Sequence, residues 1–123
     1  MRHTAKIIST TASVAALLGS LTLALPASSY ADEATVKEGK DIAFDRLKGN
    51  CLSCHKIAGG TQTGNIGPEL IGMQARFPDK AKLRAQINDS RTNNPATIMP
   101  PFGKHEVLTA GELDKVVEYI HSL

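Results

Sequence analysis

The chain has little to build a core from. Tryptophan is absent, and aromatic residues make up 4% of the 123 positions. After Tyr30 only Phe44, Phe77, Phe102 and Tyr119 remain. Each aromatic side chain buries roughly 150–250 Å², so so few leave a thin interior, and a domain this small is marginal on its own. Cysteine occurs twice, at Cys51 and Cys54, too few for a multi-bridge disulfide framework or a four-cysteine zinc site. No apolar run after Ala31 is long enough to cross a bilayer. Charge of one sign is missing too: once Arg2 and Lys6 are set aside, 12 Lys plus Arg face 12 Asp plus Glu, which excludes the basic footprint of a nucleic-acid binder. The histidines are scattered, without a hydrolytic constellation around them.

The amino terminus reads as an export signal. Arg2 and Lys6 precede a mostly apolar stretch from Ile7 to Leu25, Pro26 breaks it, and Ser29-Tyr30-Ala31 is a small-x-small cleavage site. Residues 1–31 are therefore expected to be a signal peptide and 32–123 one domain, periplasmic and not membrane-spanning, with cleavage after Ala27 as the competing position. Six Ser and Thr residues within the apolar stretch make it a poor permanent anchor, and the lack of a nearby cysteine argues against a lipoprotein anchor. Lys and Arg gather between Arg76 and Arg91, where a solvated helix face is the expected reading over a docking patch.

The residues that carry chemistry are Cys51-Leu52-Ser53-Cys54-His55. Two thiols three residues apart followed by an imidazole are the attachment signature of c-type haem. One helical turn puts both sulfurs on the same side, where each forms a thioether with a porphyrin vinyl group and His55 ligates the iron. A thioredoxin-type couple would need a βαβ setting that the sequence lacks, a zinc site would need a second ligand pair, and a plain disulfide is the remaining alternative. Buried haem would supply the missing apolar bulk, so folding is expected to depend on it.

Three helices are legible. The first spans Glu33 to Lys48, with Ile42, Ala43 and Leu47 at helical spacing and Gly49-Asn50 as a stop. The second runs from Pro78 to about Ser90 with Leu83 and Ile87 on one side. The third follows the capping box Thr109-Ala110-Gly111-Glu112 and carries the stripe Leu113, Val116, Val117, Ile120. Glycines between Ala58 and Gly67 and prolines between Asn93 and Gly103 make those segments loops. The expectation is an all-α domain with three main helices wrapped on one cofactor. For the second axial ligand, Met99 is favoured because Pro100 and Pro101 stiffen the segment that presents it. Met73 is the rival, though better placed as core. His105 and an open site are further options, and His121 is expected at the surface.

These residues resemble class I cytochromes c, and within them the SoxX subunits of the SoxAX sulfur-oxidation complex. The likeness rests on Ala43-Phe44-Asp45-Arg46, Gly49-Asn50-Cys51-Leu52-Ser53-Cys54-His55, Lys56-Ile57-Ala58-Gly59-Gly60, Gly64-Asn65-Ile66-Gly67-Pro68-Glu69-Leu70, Met99-Pro100-Pro101-Phe102-Gly103 and Val116-Val117-Glu118-Tyr119. It implies the class I fold and one haem c held by Cys51 and Cys54, with His55 and Met99 as axial iron ligands. Ala43, Leu47, Val116 and Tyr119 would lie at a helix crossing near the haem, and Pro68 beside His55. It also implies a heterodimer with a dihaem or monohaem SoxA-like subunit, the carrier protein SoxYZ as a further partner, and a downstream electron acceptor. The activity would be that of an L-cysteine S-thiosulfotransferase, in which this chain accepts electrons and provides no nucleophile. The alternative is a free, diffusing periplasmic electron carrier.

Overall fold

The Asp32 carboxylate accepts the Ala34 N–H at 2.7 Å and starts α1, Glu33–Phe44, with Glu33 in the first turn where a negative charge suits the helix dipole. This is a computed structural model, and it describes residues 32–123; the expected signal peptide and both cleavage positions lie outside the described residues. α1 stops at Phe44 rather than running on to Lys48. Asp45 adopts an extended conformation and its carboxylate takes the Leu47 N–H at 2.8 Å. The Gly49 N–H then returns to the Ile42 carbonyl at 3.2 Å and the Asn50 N–H to the Asp45 carbonyl at 2.9 Å. Leu47 consequently leaves the helical face assigned to it, and instead of sitting at the helix crossing it is 94% exposed.

The last helix, α4, spans Ala110–His121. Its capping box is formed in both directions: the Thr109 hydroxyl accepts the Glu112 N–H at 3.3 Å, and the Glu112 carboxylate accepts the Thr109 N–H at 3.0 Å. Leu113, Val116, Val117 and Ile120 are buried as their spacing requires, and Tyr119 joins them. α4 packs chiefly on α1. The approach is closest at Gly39, where a Cβ would overlap the Lys115 carbonyl and Tyr119; the missing side chain allows the two backbones to cross there. Phe44 meets the Tyr119 ring edge-on at 6.0 Å and 78°. Lys115–Glu38 and Lys48–Glu112 ion pairs flank the crossing. Lys48 and the Thr109 cap hold the Glu112 carboxyl down at about 2.

Between these helices lie α2, Met73–Arg76, and α3, Lys80–Asn88. α3 is shorter than the Pro78–Ser90 span expected, because the Asp79 side chain accepts the Ala81 N–H at 2.8 Å and places the cap after the proline. Leu83 and Ile87 are buried on its inner side. Its outer side is tied to α4 by Lys80–Glu118 and Arg84–Asp114, both at 2.6 Å, while Arg91 pairs with Asp89 at 2.7 Å. The positive cluster is thus largely an ion-paired surface. α2 was not legible, since four residues are too few to show an apolar period. His121, expected at the surface, is half-buried with Nε2 3.1 Å from the Phe77 carbonyl oxygen. No strand occurs among the described residues, and no described helix is long and apolar enough to cross a membrane.

Candidate functional site

Asn50, in the left-handed region at φ 45°, turns the chain into a single 3₁₀ turn over Cys51–Ser53. The His55 N–H closes on the Cys51 carbonyl at 2.8 Å, so the local geometry brings both thiols and the imidazole to one wall. Cys51 and Cys54 are not joined in a disulfide. Burial pushes the Cys51 thiol up to about 11, the reverse of the lowered pKa that makes a cysteine a thiol–disulfide catalyst. Among the described residues no group of three or more His, Cys, Asp and Glu is placed to hold a metal ion.

The imidazole is oriented by a bond its own motif does not contain. His55 Nδ1 lies 2.6 Å from the Pro68 carbonyl oxygen. Because a carbonyl only accepts, Nδ1 carries the proton and Nε2 keeps its lone pair for a metal. Gly67 makes room for this ring, since a Cβ there would overlap it. Two further bonds, Gly64 N–H to the Leu52 carbonyl at 2.7 Å and Gly67 N–H to the Cys54 carbonyl at 2.9 Å, lay the loop against the motif.

Facing this wall is a largely apolar cavity of about 590 Å³. Cys51, Cys54, His55 and Met99 all line it, together with Val116 and Ile120 of α4 and Leu83 and Ile87 of α3. Met99 is anchored through its backbone: Ser90, fully buried, donates from Oγ to the Met99 carbonyl at 2.8 Å, and the Met99 N–H reaches the Thr97 hydroxyl at 3.1 Å. The Gln86 amide approaches the Met99 sulfur at 3.9 Å. Met73 also borders the cavity, 2% exposed, with its sulfur 3.3 Å from the Arg76 guanidinium. His105 does not: it is exposed and outside the cavity lining. Ser90 and Gly67 escaped the sequence reading as parts of this site. Only Pro68 had been placed near His55, through the resemblance; a buried serine or a close-approach glycine has no local pattern to betray it.

The family model described as cytochrome C oxidase, cbb3-type, subunit III matches residues 34–120. The chain belongs to this cytochrome c family. Its all-helical fold is that of a class I cytochrome c domain, and the domain carries covalently bound haem c and transfers electrons. An uncharacterized lipoprotein of Aquifex aeolicus (strain VF5) is 35% identical over 77 residues, covering 60% of this chain and 36% of the relative. The chain thus spans about a third of the length of that curated relative. The cavity suits the group the family carries: it is apolar, two unbridged thiols stand at one wall, and an imidazole nitrogen and a thioether border it. In this cytochrome domain Cys51 and Cys54 would hold the porphyrin, and His55 and Met99 would be the residues offered to its iron.

Proposed function

We propose that this cytochrome is the electron-accepting subunit of a periplasmic SoxAX-type complex, a heterodimeric L-cysteine S-thiosulfotransferase. One observation carries the division of labour: both cysteines, the only ones in the chain, line the cavity. Thioether formation consumes them, so the chain keeps no thiol with which to do sulfur chemistry. The reaction must occur on a partner, a SoxA-like haem subunit. There the carrier's cysteine thiol loses its proton, a sulfur–sulfur bond forms to thiosulfate, and two electrons leave one at a time. When bound, haem c supplies a one-electron iron couple, raised in potential by a His/Met ligand pair. The protein's part is to hold that couple still. Pro68 fixes the His55 tautomer, Ser90 and Thr97 pin the Met99 backbone, and α3 and α4 side chains give the cavity an apolar wall. The reading draws its sulfur-oxidation content from the Gly64–Leu70 and Met99–Gly103 motifs.

A second reading is a diffusing periplasmic carrier that serves an oxidase; the description of the matching family, which names an oxidase subunit, supports the oxidase link and not the diffusing state. Affinity purification of the exported, haem-loaded chain from its native cells separates the two. A stable one-to-one complex with a second haem protein that releases electrons only when thiosulfate and SoxYZ are present is the expected result. A monomer that exchanges electrons with an oxidase and ignores thiosulfate would overturn the proposal.

A further inference from the structure

On the other side of the haem-attachment turn lies a second cavity, of about 480 Å³, walled by Phe44 and Leu52 and by the polar side chains of Arg46, Asn50, Ser53, Thr61 and Gln62. No Asp or Glu lines it. The Lys40 ammonium stands at its edge, 5.4 Å from the centre of the Phe44 ring and 3.7 Å from where a Gly59 side chain would begin. Across the described chain Lys37, Lys48, Lys56, Lys80, Arg84, Arg91 and Lys115 each have a carboxylate within ion-pair distance. Neither Lys40 nor Arg46 pairs with a described carboxylate. Asp45, next in sequence to Arg46, spends its carboxylate on the Leu47 N–H. One guanidinium N–H of Arg46 goes to the Gln62 side-chain oxygen at 2.9 Å, which aims the fork and leaves other donors open.

We propose that this cavity binds a small divalent oxyanion of the sulfate or thiosulfate type. One guanidinium in the lining and one ammonium beside it, neither paired with a described carboxylate, join hydroxyl and amide groups with no acid among them; such a donor-rich set matches a compact, multiply charged acceptor. The volume admits such an anion with part of its water shell. The binding also reaches the neighbouring site. Arg46, Asn50 and Ser53 border both cavities, so an anion held here places negative charge against the haem-attachment turn and favours the oxidised iron. Sulfur oxyanion concentration would then be read as a lowered reduction potential. This inference stands apart from the identity of the electron-transfer partner.

The test titrates the haem-loaded full chain with sodium sulfate, and separately thiosulfate, at ionic strength held constant with sodium chloride. Backbone amide signals of Gly59, Thr61 and Gln62 are expected to shift saturably, and the midpoint potential to fall with the same half-saturation concentration. In Lys40→Gln and in Arg46→Gln the half-saturation should rise at least tenfold, while Lys82→Gln, on α3, leaves it unchanged. Amide shifts that grow linearly with sulfate, that chloride reproduces, or that persist in a Lys40→Gln, Arg46→Gln double variant would mean an adventitious ion only and overturn the proposal.

Discussion

Where α1 meets α4, the chain makes its contacts with itself; along the loops of residues 58–72 and 89–103 it lines a hollow of about 590 Å³. At the helix crossing Ala43, Leu113, Val116 and Tyr119 are buried among one another, and Gly39 brings the backbones together. Around the hollow the side chains are spaced for something larger than a neighbouring residue. Leu47, Ile66 and Ile98 are exposed apolar groups at its margin. The first region follows the ordinary logic of close packing. The second is a half-interface with room for a porphyrin, and its polar bonds hold His55 and Met99 in place without filling space.

The contrast breaks most sharply if the cofactor is removed. Without haem the apolar walls of the hollow face water, and the burial forfeited, at about 25 cal/mol per Å² of apolar surface, is set against a whole stability of only about 5–15 kcal/mol for a small domain. The Cys51→Ala, Cys54→Ala variant, exported without covalent haem, is therefore expected to lose its cooperative thermal transition and most of its far-ultraviolet helical signal. A native spectrum and unchanged midpoint would show that the helix crossing suffices. A smaller effect belongs to the crossing alone. Gly39→Ala drives a methyl into the α4 backbone, a strain of about 3 kcal/mol, offset by about 1 kcal/mol of helix propensity. Guanidinium unfolding of the holoprotein should report a net loss of about 2 kcal/mol with the haem spectrum unchanged; a stabilised variant would mean that the helices separate freely. The smallest belongs to the loop wall. Ser90→Ala removes the buried donor to the Met99 carbonyl and should cost about 1–2 kcal/mol. Unlike Gly39→Ala, it should also weaken the red-edge absorption of methionine-ligated ferric haem. Loss of stability with that band intact would make Ser90 a structural residue only.

Much of this was legible beforehand because it is written in short stretches. The attachment motif spans five residues, the Thr109–Glu112 capping box four, and the α4 stripe a regular period. What escaped depends on distant partners. α1 ends at Phe44 because Asp45 and Gly49 find other backbone partners, so Leu47, correctly spaced for a helix, sits in a turn. α2 is preceded by its cap Gly72, at φ 61°, whose N–H bonds the distant Leu123 carbonyl. The Met99 segment was assigned from its prolines, yet Ser90, nine residues earlier, is what anchors it.

By itself the sequence determined the covalent chemistry, the helical class and the cap and stripe of α4, because those follow from residue spacing along a chain of known pitch. Only the folded molecule decided which carbonyl orients His55, which serine anchors Met99, and that Lys40 comes beside the acid-free hollow Arg46 lines. Each is a matter of what lies across space, and the energies that select it arise from burial and hydrogen bonding between segments the chain brings together only on folding.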